Sequence, residues 1–490
     1  MLKASLLLLL FGAVASAQYS TFTLASTGCP MAHCSNFAGG WVNAPPPAGT
    51  PALQVSDGNS GDSGFGLGCV SNGTFVACAY TLPSGSGVCT SINPHNNLVI
   101  YSWAGGTNPL VELYESKCLF DDSAYTSVPM MNSNGDVIMS DDHVVARIDY
   151  DAGTASYPAP GGYTWCETLP HSGATTSCAG AGAYAKGGDT ISPILLNDDH
   201  IVAVATQNPG WVYAFYVDTG APVGPAIQVT DASMNTYETL NTPAASYYTG
   251  GTRFYVSMSE IGVPADALLA AIDVNTGSGT LTTAWEYTDA AFTCPCGASP
   301  AVLQVGSSAT SVIYFDGDGS IFSVVDNGSS GSFNTSWTGG PTLLSGANVP
   351  VSGSIDDQST RSCLWEFTTG VQTVYCVDLS TGAVDEHFSV RSITSLPNAI
   401  PTSSISLTKA PSGDVVMILG VAGGTLLQTG QVIAIDLSGS SESSYWSGGV
   451  ITLGTSGQHY FGQYPIITDP TSMLPVLVFP TNSNRAFFYE

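Results

Sequence analysis

Basic side chains are the scarcest feature of this chain. Only 9 Lys and Arg stand against 37 Asp and Glu in 490 residues, a formal net charge of −28. A surface so poor in cations cannot neutralise a phosphate backbone, so nucleic acid is excluded as a partner. All charged residues together make up 9% of the chain, against about 25% in an average soluble domain. Long helical bundles and coiled coils, which need Lys, Glu and Arg along their faces, are excluded on that count. Disorder is excluded by the 44% hydrophobic and 10% aromatic content. No run of about 20 uninterrupted apolar residues exists, so no membrane span is expected. Also missing are a Gly-x-Ser-x-Gly elbow, a phosphate loop and a dinucleotide fingerprint in their proper contexts.

What is present begins with an export signal. Lys3, the apolar stretch Leu6 to Phe11 and the small residues Ala15-Ser16-Ala17 predict a signal peptide over 1–17. The mature domain is then 18–490, and removal of Lys3 leaves eight basic residues. The even count of 12 Cys suits an oxidising compartment. Cys69 and Cys78 flank a strand-turn-strand, and Cys363 and Cys376 sit on neighbouring candidate strands, so both pairs are expected as disulfides. Cys29 with Cys34 and Cys166 with Cys178 can close small loops; Cys294-Pro-Cys296 is too tight and must reach elsewhere, for instance to Cys89 or Cys118. Paired CxxC knuckles are missing, so no metal is expected. Sequons at Asn72, Asn327 and Asn334 lie in polar turns suited to glycans.

The chain repeats itself about every 50 residues. Each copy has three short apolar runs, a turn closing the third, and an aromatic tail. The closing turns include Val-Asp-Thr-Gly (217–220), Val-Asn-Thr-Gly (274–277), Val-Asp-Asn-Gly (325–328) and Leu-Ser-Thr-Gly (379–382). The runs before them are β-rich, and the one helical hint is a turn at Pro264 to Ala271. This period predicts an all-β fold, a single β-propeller of four-stranded blades. Eight copies are counted, with seven blades possible, and two β-sandwich domains are the alternative. The last copy ends after three strands, so an N-terminal strand, Tyr19 to Ala25, is expected to close the ring.

Acidic pairs recur at Asp121-Asp122, Asp141-Asp142, Asp198-Asp199 and Asp356-Asp357. Neighbours on a strand point oppositely, so these read as turn chemistry rather than paired catalytic acids. Asp316-Gly-Asp-Gly opens like a calcium loop but lacks the distal Glu. No histidine pair has ligand spacing. Two stretches depart from the repeat and are the candidate site regions. One is 26–63, with His33, Asn36 and Trp41; the other is the cysteine-bracketed 159–190, with Trp165, Glu167, His171 and Lys186.

The phrases Trp-Val-Tyr-Ala-Phe-Tyr-Val-Asp-Thr-Gly (211–220) and Gln-Val-Ile-Ala-Ile-Asp-Leu-Ser-Gly (431–439) resemble the blades of quinoprotein-like propellers. That resemblance implies the fold. A quinoprotein dehydrogenase would also imply a bound tricarboxylate quinone, which needs several converging cations and is disfavoured by their scarcity. Gly-Cys-Pro-Met-Ala-His-Cys-Ser (28–35), Trp-Val-Asn-Ala-Pro-Pro-Pro (41–47), the leader and the sequons together are similar to a narrower group. These are secreted fungal hetero-Diels–Alderases of tropolone–sesquiterpenoid pathways. The resemblance implies a cofactor-independent pericyclase that dehydrates a hydroxymethyl tropolone to an o-quinone methide and joins it to a humulene-type alkene. Its partners would be these two small molecules. Trp41, Tyr163 and Trp165 are the expected substrate wall, and His171, Lys186 and Arg253 the expected hydrogen-bond donors. A secreted carbohydrate-active or carbohydrate-binding glycoprotein stays open as the alternative, and the oligomeric state is left open.

Overall fold

The computed structural model describes residues 22–35, 37–56, 66–80, 96–105, 109–117, 127–141, 144–150, 163–169, 192–196, 200–205, 210–230, 235–239, 242–246, 252–260, 263–288, 299–305, 309–315, 320–338, 342–343, 353–356, 360–368, 371–389, 399–401, 403–423, 430–438, 443–452, 463–481 and 485–490. The expected signal peptide, His171, Lys186, Asp316 to Gly319 and the Cys294 to Cys296 tripeptide lie outside these residues. Among the described residues there is no α-helix, and a single short 3-10 turn occurs at Ala32–Cys34.

Among the described residues the strands form eight antiparallel sheets, numbered in chain order from the first strand after residue 60: their strands begin at Gly66, Met130, Ile194, Tyr237, Ala301, Ser354, Ala399 and Ile466. The second sheet shows the plan: Met130–Met131, Val137–Asp141, Val144–Ile148 and Tyr163–Thr168, paired in that order. The first strand has only two or three residues in six of the sheets, and five or six in the fifth and the first. The second and third alternate small and branched side chains that are buried on both faces, as in Ile201–Ala205, where every residue is buried. Neighbouring sheets share these faces, so the core is divided into several clusters instead of one. This is why few charged faces are needed.

Three expectations change. Pro264 to Ala271, read as a helical turn, lies in the strand Val263–Asn275, where Leu268 to Ile272 are completely buried and paired with Thr252–Glu260. Tertiary pairing outweighs the helix propensity of Ala and Leu. The stretch 159–190 is not all insertion, because Tyr163–Thr168 is the outer strand of the second sheet. The closing strand of the last sheet is Leu53–Ser56, paired with Arg485–Tyr489, and not Tyr19 to Ala25. The part of 19–25 that is described instead meets the second sheet, through the bridge of Leu24 with Asn132.

Cys69 faces Cys78 and Cys363 faces Cys376 across adjacent strands, and both pairs are disulfide-bonded. Cys29 and Cys34 form a third bridge. Cys166 is also disulfide-bonded, and the expected partner Cys178 is outside the described residues. Such bridges belong to an oxidising compartment. No helix of the described residues is long and apolar enough to cross a membrane.

Candidate functional site

The N-terminal stretch takes an unexpected route. The first strand of each sheet leaves one edge unpaired, and residues 24–44 bond to several of these edges in turn. Cys29 pairs with Ser71 of the first sheet, and Pro30 O accepts from Met131 N of the second. Phe37 O accepts from Val302 N of the fifth, Gly39 O from Ile355 N of the sixth, and Gly40 O from Leu407 N of the seventh. His33 sits among them, its Nε2 3.0 Å from Ser299 Oγ and its Nδ1 2.9 Å from Gln463 Nε2. Its backbone N–H donates to Gln463 Oε1, so the Gln463 amide must donate to Nδ1. Residues 24–44 therefore line the inner edges, the place where a ring of sheets would otherwise have its axial opening. His33, Cys34 and Ala38 all hold positive φ here, a backbone state L-residues rarely adopt without surrounding constraint.

The sequence-derived site residues separate. Trp41 is part-buried beside Leu407 and packs on the core between the sixth and seventh sheets. Arg253 is interior. Its guanidinium forms two bonds to Asp273, at 2.6 and 2.8 Å, and two to Asp326, at 2.9 and 2.8 Å. Asp326 also accepts from Tyr255 Oη at 2.6 Å and Trp285 Nε1 at 3.1 Å. These carboxylates hold the Arg253 cation well above its ordinary pKa despite burial. The group welds the fourth sheet to the fifth.

Trp165 is buried as well, and its indole N–H donates to Val217 O of the third sheet at 2.7 Å. The same clasp recurs where Trp337 Nε1 meets Leu379 O at 3.0 Å. In both cases the indole lies on the glycine of the next copy's Thr-Gly turn. A Cβ on Gly220 would come within 2.7 Å of the Trp165 ring, and one on Gly382 within 2.5 Å of the Trp337 ring. Trp165 thus joins the second sheet to the third. Tyr163, on the same strand, pairs with Ile148.

Between the second and third sheets, beside this clasp, is a cavity of about 370 Å³ lined by Glu167, Thr168, Tyr213, Ala214, Phe215, Pro222, Gly224, Pro225 and Ala226. The volume falls within the range of small-molecule sites. Tyr213 and Phe215 alternate on the strand Trp211–Tyr216, so their rings face the same way, stacked at 6.3 Å. Glu167 is the one acid in the lining, and burial pushes its carboxyl above the usual range. Glu167 was visible in the sequence as part of an irregular stretch. Tyr213 and Phe215 were hidden inside a phrase that looked like repeat grammar.

The acidic pairs bear on this choice. Asp356 accepts from Thr360 N, Thr360 Oγ1 and Arg361 N, which is turn capping. Arg147, Arg253 and Arg361 each lie at a different sheet junction, bonded to Asp136, to Asp273 and Asp326, and to Leu437 O. They do not converge.

No protein-family model matches the chain, and no curated protein matches it. Among solved structures it is similar to the Dos1 propeller, at 11% identity and a TM-score of 0.52, over 90% of this chain and 95% of that one. It is also matched by a putative 6-phosphogluconolactonase from Bacteroides fragilis, at 12% identity and TM-score 0.42, over 76% of this chain and 95% of that one. A periplasmic gluconolactonase from Pseudomonas aeruginosa follows at 11% identity and TM-score 0.40, over 64% and 81%. At such identities likeness concerns the fold alone. The Dos1 propeller spans nearly the whole chain, and with the serial antiparallel sheets it shows that this chain folds as a β-propeller.

Proposed function

We propose that the protein is a cofactor-independent hetero-Diels–Alderase and that the cavity between its second and third sheets is the reaction chamber. The observation that carries this reading is one carboxyl with a raised pKa set in a largely apolar wall. A cycloaddition needs two partners held in attack geometry and no nucleophile. The apolar wall of Tyr213, Phe215, Pro222 and Pro225 suits a sesquiterpene alkene. Glu167 in its protonated form suits the preceding dehydration. It gives its proton to the departing hydroxyl of a hydroxymethyl tropolone, and water leaves. The tropolone O–H returns a proton to the carboxylate, giving the o-quinone methide. That heterodiene then adds across the alkene, forming one C–C and one C–O bond of a dihydropyran.

The test incubates the purified protein with a hydroxymethyl tropolone and humulenol and follows the adduct, the sum of both less one water, by mass spectrometry. Turnover above buffer is expected. Its rate should fall as pH rises through the raised pKa of Glu167, because the acid form is the working one. Glu167→Gln should lower the rate by about 10²-fold or more. No acceleration over buffer, together with sugar release from a polysaccharide panel, would replace this reading with the carbohydrate-active one.

A further inference from the structure

The three sequons are alike in sequence, but their carboxamides are not alike in structure. An N-linked asparagine keeps one N–H on Nδ2, because the other hydrogen is replaced by the sugar. A side chain that spends one N–H is therefore compatible with a glycan. A buried one that spends both is not.

Asn72 spends both. It is only 7% exposed, and its Nδ2 donates to Asn132 O at 3.1 Å and to Ser133 O at 3.3 Å. Its Oδ1 accepts from Thr74 N and Phe75 N, at 3.0 and 2.8 Å. The two Nδ2 bonds tie the first turn of the first sheet to that of the second, and the two Oδ1 bonds close the turn itself. The adjoining N-terminal stretch closes over them, since Thr27 Oγ1 donates to Asn72 O. A sugar here would break a junction and face no solvent.

Asn327 and Asn334 are different. Asn327 is exposed, and its Nδ2 has one good acceptor, Ser332 Oγ at 2.9 Å, beside a marginal contact to Val325 O at 3.5 Å. Asn334 is part-buried and donates once, to Ser323 Oγ at 3.2 Å. They bracket Gly331–Phe333, the three-residue outer strand of the fifth sheet. We propose that Asn327 and Asn334 are the glycosylated sequons and that Asn72 stays unmodified as a structural bridge, so that two glycans flank the outer strand of the fifth sheet. Each transfer forms a bond from Nδ2 to C1 of a lipid-diphosphate-linked oligosaccharide. The C1–O bond to phosphate breaks, the amide loses one proton, and the lipid diphosphate leaves. Sugars on both sides of this short strand, the last in its sheet among the described residues, would block edge-to-edge pairing between copies.

The test secretes the full chain with its own leader from a eukaryotic host and treats the folded product with peptide N-glycosidase in ¹⁸O-water. Peptide mass spectrometry then reads each site. Asn327 and Asn334 are expected as ¹⁸O-labelled Asp, and Asn72 as unlabelled Asn. Label at Asn72 in the folded product, or its absence at Asn327 or Asn334, overturns the proposal. As a second measurement, Asn327→Gln and Asn334→Gln should each shift gel mobility by one glycan, while Asn72→Gln should leave mobility unchanged and lower secreted yield. A mobility shift with Asn72→Gln overturns it too.

Discussion

Replacing Arg253 with Met tests how the fourth and fifth sheets are joined. The side chain of Asp326 is 0% exposed, and Arg253 gives it two of its hydrogen bonds. Met keeps much of the aliphatic volume and removes the cation. Asp326 would then retain only Tyr255 Oη, Trp285 Nε1 and the N–H of Gly328. A buried charge stripped of its partner costs about 3–5 kcal/mol, and that is the expected loss. The partner substitution Asp326→Asn should cost less, because Asp273 still holds Arg253 with two bonds. In Arg253→Met with Asp326→Asn no fully buried carboxylate is left unpaired, since the side chain of Asp273 is 36% exposed. The cycle should therefore show a coupling of about 1–3 kcal/mol in the restoring direction. Urea unfolding followed by tryptophan fluorescence is the assay, because Trp285 contacts Asp326 directly. A single variant within about 1 kcal/mol of the parent, or strict additivity in the double variant, would refute the reasoning.

Other outcomes follow from the same physics. Gly382→Ala should lose stability by about 1–3 kcal/mol by overpacking, since its φ is +75° and a Cβ would press on Trp337; Gly413→Ala, with nothing within 4 Å of its Cβ, isolates the backbone part of that cost in paired thermal melts. Tyr255 has a raised folded pKa, from burial first and then from Asp326. Its contribution is thus complete below its unfolded value of about 10 and is lost as pH rises further, by about 1.36 kcal/mol per pH unit; Tyr255→Phe should flatten stability against pH above 10. Opening Cys69–Cys78, nine residues apart, by a double Ala substitution should cost about 2–3 kcal/mol in denaturant titrations.

Much of the fold was legible because it rests on short-range chemistry. The turn at 217–220 needs a glycine for its positive φ, and Asp378 caps its own turn by accepting from Ser380 N and Thr381 N. Such turns show in any single copy. Two disulfides were legible for the same reason, since each pair stands directly across a hairpin. What escaped is what links one copy to the next. The aromatic tail of each copy was visible, yet nothing in the spacing says that Trp165 lies on Gly220 of the following copy. For the same reason nothing in the spacing shows Arg253 tying the fourth sheet to Asp326 of the fifth. The cavity was half legible: Glu167 stands in a stretch whose sequence looks irregular although it forms the outer strand of its sheet, while Tyr213 and Phe215 read as ordinary repeat.

The route of the N-terminal stretch has a consequence for the order of folding. His33 emerges early from the ribosome, yet its partner Gln463 lies 430 residues downstream. Leu53–Ser56 likewise waits for Arg485–Tyr489. Each sheet from the first to the seventh can pair as it is synthesised, but the inner stretch and the final sheet cannot settle until Gln463 and Arg485–Tyr489 have been made. Contacts of such long sequence separation make folding slow. The last event should be a concerted closure around residues 24–44, with the unpaired inner edges exposed until then and most in need of protection from aggregation.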